Sequence, residues 1–186
     1  MKRKIALLVC LVSLMVFSGA NVMAAAMEFS ADLSMSAGNG KPMTGKVFVK
    51  GGKIRTIIAM MGVDSITIAR QDKKVAWILM PEQKQYREMP LQPDAAHPTA
   101  DMQYDTKELG SGRANGYDCK IIQYTFKNTS YSAVNWLASQ INMPVRVQVK
   151  NKSGALVTTV DYTNIKIGPQ ADDLFEIPAG YSKMEN

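Results

Sequence analysis

Residues 73–91 read KKVAWILMPEQKQYREMPL, and the fold turns on this stretch. Residues 75–80 are an unbroken apolar run, too short for a helix and rich in β-formers, bounded by Asp72-Lys73-Lys74 and by Pro81-Glu82-Gln83-Lys84. This predicts a strand buried on both faces. The turn at Pro81 sends the chain back through residues 85–89, where Tyr86 sits among charged neighbours, so the partner strand has a wetter face. A hairpin of this kind needs a sheet around it. Whether the sheet encloses packed protein or a ligand is the functional question.

Upstream, residues 44–50, 53–61 and 63–70 read as strands separated only by Gly51-Gly52 and Gly62. Residues 28–36 alternate strictly, with Phe29, Ala31, Leu33 and Met35 on one side. Short connections exclude parallel crossovers, so this half is an antiparallel meander. Ile54 and Ile58 oppose Ile57 and Ala59, just as Val75, Trp77 and Leu79 oppose Ala76, Ile78 and Met80. No amphipathic helix is at hand to cover a face, so the sheet must stack on another or curl. A curled sheet leaves an apolar concavity.

Downstream, residues 90–103 hold Pro90, Pro93 and Pro98 without a sustained period and make the one long loop, suited to a lid or a binding loop. Asp94, His97 and Asp101 there are residue types that ligate metals, but Pro98 forbids the helix that would align them, so a solvated loop and no metal are expected. Residues 104–109 and 116–127 read as strands around a turn at 110–115, and 131–139 as another. Residues 144–150 and 155–167 form a hairpin through Lys152-Ser153-Gly154. Asp172-Asp173 fits a solvated turn. The basic residues Lys50, Lys53, Arg55, Arg70, Lys73 and Lys74 fit a solvated rim more readily than a headgroup site.

The first residues follow the order of a secretory signal peptide: Lys2-Arg3-Lys4, an apolar run at 5–17, then Ala24-Ala25-Ala26. Cleavage is expected after residue 26, leaving a single domain at 27–186. Cys10 follows Val9 where a lipoprotein signal needs a small residue, so the product is expected in the periplasm, soluble and not lipidated. Three of the 22 basic residues lie in the leader, and the net charge falls from +6 to +3 without them. That excess does not call for nucleic acid, although it permits peripheral contact with an anionic membrane. Cys119 is then the single cysteine, which excludes an intrachain disulfide and fits a small buried hydrophobe. There is no Ser-His-acid set, C-x-x-C, H-E-x-x-H or phosphate-cradling loop, so neither an enzyme nor a cofactor is expected. Methionines such as Met60, Met61, Met80, Met89, Met102 and Met143 suit either gap-filling in a core or a surface for variable apolar ligands.

Three groups of residues carry a family likeness. They are Gly45-Lys46-Val47-Phe48-Val49-Lys50 with Lys53-Ile54-Arg55, then residues 72–81 with 83–86, and the tail from Trp136 through residues 143–147 and 161–165 to residues 173–181, DLFEIPAGY. In these the chain resembles the outer-membrane lipoprotein carrier (LolA-like) superfamily, and is most similar to a branch of uncharacterised secreted bacterial domains. The resemblance implies a mainly β fold, an unclosed antiparallel β-barrel whose concave apolar face takes up acyl chains under a small helical lid. It also implies a lid-contacting arginine near the end of the second strand, where this chain has Lys50-Gly51-Gly52 and, displaced, Arg55.

The expected architecture is thus a curved sheet of roughly eleven strands with a short loop or helical lid. The leading functional expectation is a periplasmic, non-enzymatic protein holding a lipid or lipoprotein acyl chain against Ile58, Met60, Trp77, Leu79 and Met89. It would serve outer-membrane lipoprotein or lipid trafficking, with an outer- or inner-membrane protein as partner. The alternative is a periplasmic structural or sensory interaction module with a packed β core, whose edge strand or Pro-rich loop meets a protein partner.

Overall fold

The computed structural model describes residues 28–38, 40–60, 62–91, 103–127 and 129–185. The expected leader, Asp94, His97 and Asp101 lie outside them. The described chain forms twelve strands: β1 (Glu28–Ala37), β2 (Met43–Lys50), β3 (Lys53–Met60), β4 (Val63–Arg70), β5 (Val75–Met80), β6 (Gln85–Pro90), β7 (Tyr104–Ala114), β8 (Tyr117–Phe126), β9 (Tyr131–Ala138), β10 (Met143–Asn151), β11 (Leu156–Ile167) and β12 (Ser182–Lys183). Their order in one sheet is β12-β6-β5-β4-β3-β2-β1-β11-β10-β9-β8-β7, which does not close on itself. The meander from β2 to β6 is antiparallel throughout, as the short turns require. β12 departs from the antiparallel expectation, because it pairs parallel with β6 over two residues.

Two further expectations need correction. Residues 110–114 of the expected turn are strand, since β7 runs on to Ala114 and the reversal is made by Asn115-Gly116. Both turn residues have positive φ, 51° and 87°, the geometry of a two-residue hairpin turn that Asn-Gly favours. Gly110, read as part of the turn, instead has φ 111° at a register shift, a bulge in the strand. As for the helical lid, the only helices among the described residues are two 3-10 turns, Pro81–Gln83 and Asp172–Phe175.

The chain resolves into two compact units, of which one takes its described residues from 28–32, 43–91 and 164–185. In this unit the two-faced strands carry buried residues on both sides, although Ile57, Val75, Ile78 and Met80 are only half-buried and Ala59 is exposed. Ile54, Ile58, Thr67, Ala69 and Ala76 are buried on one face, and Ile66, Ile68, Trp77 and Leu79 on the other. Gly45 of β2 is required by close approach, because a Cβ there would stand 1.9 Å from the Ile57 carbonyl oxygen.

The other unit takes its described residues from 33–42 and 103–163. Ala133, Val147, Val149, Val160 and the fully buried Tyr162 give it its core, and the rings of Tyr104 and Tyr124 pack steeply inclined with centres 5.5 Å apart. Its hairpins are tied together at one point. Asn115 Nδ2 donates to Val145 O at 2.6 Å and to Asp161 Oδ1 at 2.9 Å, and Arg146 Nε donates to the same carboxylate oxygen at 2.6 Å. Cys119 is buried here, and desolvation raises its thiol pKa, which fits the expected small hydrophobe.

Candidate functional site

Register decides which of the expected lining residues share a face. Ile68 pairs with Arg55 on one side and Trp77 on the other, so Phe48, Arg55, Ile57, Ile66, Trp77 and Leu79 point the same way. Ile58 belongs to the opposite face, as does Met89, which pairs with Ala76. Met60 ends β3 in the alternation of Ile58, and its side chain lies outside the described residues. The four candidates whose side chains are described therefore divide between two faces of the sheet. Ile58 is 2% exposed, Trp77 5% and Leu79 1%, while Met89 is half-buried.

The Trp77 face is covered by the chain's own C-terminal segment, residues 169–185. Its 3-10 turn drops Phe175, 0% exposed, into a cluster with Ile66, Ile68, Trp77 and Leu79, and Leu174, Ile177 and Tyr181 pack around it. Burying a phenylalanine side chain contributes roughly 1.5–3 kcal/mol. The segment ends by adding β12 to the edge of β6, where Ser182 N donates to Lys84 O and Met184 N to Tyr86 O. This covering answers the sequence puzzle of a two-faced strand without a helical layer. An extended strap takes the place of the layer.

Five of the six basic residues expected on a solvated rim hold this strap. Lys50 and Lys53 each bring Nζ to 3.1 Å from the Asp172 carboxylate, and Lys50 Nζ also donates to Gln170 O at 3.0 Å. Arg55 Nη1 donates to Leu174 O at 3.0 Å, and burial lowers its pKa. Arg70, 4% exposed, forms a bidentate pair with Asp72 at 2.8 and 2.6 Å, and its Nη1 reaches Phe175 O and the Glu176 carboxylate. Lys73 Nζ lies 3.2 Å from Glu176 and 5.0 Å from the centre of the Trp77 ring. The hydrogen bonds from Arg70 hold the Asp72 carboxyl down to about 2. Glu176 is also lowered: burial pushes its pKa up, and the hydrogen bonds from Arg70 and Lys73 outweigh that push. Trp77 is pinned from a second direction, since its Nε1 donates to Glu88, whose other oxygen accepts from Lys183 of β12.

Beyond the strap, the same unit carries an open cavity of about 420 Å³ over β1, β2 and β11, lined by Ser30, Ala31, Asp32, Lys46, Phe48, Asn164, Ile165 and Lys166. Phe48 borders both regions, for it also packs against the Phe175 cluster. Asn164 Nδ2 donates to Asp32 Oδ2 at 2.7 Å, and Lys46 Nζ lies 4.0 Å from the other oxygen. Asn164 has φ +49° inside β11, whereas the other positive-φ residues besides glycine, Lys74, Lys84, Asn115 and Asn142, occupy turns.

Sequence reasoning missed Phe175, Asp172, Glu176 and Asn164. The signal for the first three was present in the run of acidic and apolar residues at 172–177, DDLFEI, opposite an excess of basic turns in sequence. Among the described residues no three His, Cys, Asp or Glu side chains gather as a metal site, and no helix is long and apolar enough to cross a membrane. The arrangement is one of packing, ion pairing and surface concavity.

A family model described as a domain of unknown function, DUF4412, matches residues 28–143. No curated protein matches the sequence. Among solved structures, the chain is similar to an uncharacterised conserved protein from Thermus thermophilus, at 11% identity and TM-score 0.64 over 87% of this chain and 91% of that one. It is similar also to MucB in the MucA/MucB complex of Pseudomonas aeruginosa, at 17% identity and TM-score 0.54 over 84% of this chain, but it spans only 57% of that chain. A LolA superfamily protein from Nitrosomonas europaea matches at 15% identity and TM-score 0.43, over 80% of this chain and 90% of that one. The LolA-like resemblance read from the sequence is met as a likeness of fold.

Proposed function

The chain belongs to the DUF4412 family, and from that premise we propose a non-enzymatic periplasmic interaction module with a packed β core that engages a protein partner. One observation carries the reading. Of the residues expected to line an acyl-chain site, Trp77 and Leu79 are packed with Phe175 of the strap, and Ile58 is 2% exposed on the other face. A second support is the fold likeness to MucB, whose solved complex is with MucA. The partner surface in this reading is β7, which ends the strand order and exposes most of its eleven residues, including Leu109. An end strand presents unpaired backbone groups to an incoming strand.

The test has two arms on the full chain expressed in a Gram-negative periplasm. Native mass spectrometry is expected to return the mass of the bare chain, and a photo-crosslinking residue at Leu109 to yield a discrete protein adduct. A stoichiometric lipid adduct without any protein adduct would overturn the reading and restore the lipid carrier expected from the sequence.

A further inference from the structure

We propose that the cavity over β1, β2 and β11 is a docking site for an extended acidic–apolar segment of the partner protein, an inference that rests on the interaction-module reading. The chain itself provides the template. On the same face of the same unit, the strap seats its acidic residue Asp172 between Lys50 and Lys53 and its apolar residue Phe175 in an apolar cluster. The cavity repeats that chemistry next door: Lys46 and Lys166 supply ammonium groups, Phe48 and Ile165 supply apolar walls, and Phe48 joins the two regions. A volume of about 420 Å³ lies within the ordinary range of binding pockets and takes one or two side chains of a bound segment.

Two further observations bear on charge. Asp32 would repel an acidic segment, but Asn164 Nδ2 donates to it at 2.7 Å, and Lys46 stands 4.0 Å from its other oxygen. The Asn164 amide is delivered there by a left-handed backbone conformation inside a strand, one that residues other than glycine adopt uncommonly. Net of the Lys46–Asp32 pair, the lining carries one positive charge, at Lys166. The cavity therefore favours an anionic segment, in the same sense as the strap site.

The probe is a fluorescein-labelled peptide of residues 171–179, ADDLFEIPA, titrated into the isotopically labelled full chain. Amide shifts are expected at Lys46, Phe48 and residues 164–166, saturating together with fluorescence anisotropy. Lys46→Glu with Lys166→Glu is expected to weaken binding at least tenfold, and the same charge change at Lys150 and Lys152 less than twofold. Asn164→Gly keeps the backbone conformation available while releasing Asp32, and is expected to weaken binding several-fold without loss of the folded spectrum. Shifts confined to Ile68 and Trp77 would mean that the peptide displaces the strap instead, and would overturn the proposal. Shifts at the cavity with anionic phospholipid vesicles but none with peptide would also overturn it, in favour of a headgroup. A silent cavity beside a protein adduct at Leu109 would sink this inference and leave the interaction-module reading standing.

Discussion

Arg70 closes β4 with a guanidinium that is 4% exposed and fully engaged, by Asp72 on its own turn and by Glu176 and Phe175 O on the strap. Removing it strands two carboxylates and a carbonyl around a vacant site. Arg70→Met is therefore expected to lower unfolding stability by about 1.5–3 kcal/mol, the range for losing hydrogen bonds to charged groups, because Asp72 and Glu176 are half-exposed and rehydrate, measured by urea denaturation at neutral pH. The sign of the pH dependence follows from the same contacts. Asp72 and Glu176 titrate below their ordinary values when folded, so the stability they lend is complete only above those ordinary values, from about pH 5 upward, and is lost as pH falls toward 2. The wild type should lose urea midpoint across that window, and Arg70→Met should lose less. Equal slopes for the two proteins would contradict this account. None of this was legible in the sequence, where Arg70 stands beside Lys73 and Lys74 and its partner Glu176 lies 106 residues on. Local charge patterns report exposure well and long-range pairing poorly.

At the scale of elements, strands whose pattern has period two or a bounded apolar run were readable with near-correct ends. β4 and β5 match their expected bounds, and Tyr131–Ala138 is a strand even though its residues would also suit a helix face. The β7–β8 hairpin was misread because Gly110 and Gly112 looked like the turn, while Asn115-Gly116 is the turn and does two jobs at once. Substitution separates them. Asn115→Gly keeps the positive φ and loses the side-chain bonds to Val145 O and Asp161, whereas Asn115→Ala loses both. Thermal denaturation should rank Ala below Gly below wild type, with about 1 kcal/mol between the two variants from backbone strain. Equal stabilities would mean that the left-handed turn is not under constraint. The strap was missed for a different reason: residues 169–185 have little regular structure of their own, and their order comes from what they cover. Phe175→Ala should cost about 3–5 kcal/mol and should speed amide hydrogen exchange at residues 174–184 more than in β9 or β10.

The whole molecule poses the question that opened the sequence reading, whether the sheet around the VAWILM strand encloses protein or ligand. Fold class was legible because apolar runs without helical periodicity admit few architectures. Occupancy was not, because a face filled by an irregular segment and a face filled by an acyl chain demand the same residues at Ile66, Ile68, Trp77 and Leu79. The strap makes the two possibilities experimentally separable. A chain ended after Gly168 should keep its strand content by circular dichroism, since β2 to β6 pair without the strap. It should also expose an apolar face of the kind that binds hydrophobic ligands. In a Trp136→Phe background, where Trp77 is the single reporter, its emission should move to longer wavelength on truncation. A fluorescent fatty acid should then bind the truncated chain and leave the full chain untouched. If the full chain takes up the fatty acid as tightly as the truncated one, the strap does not occlude the acyl-binding surface, and the packed-core reading of this domain fails at its central observation.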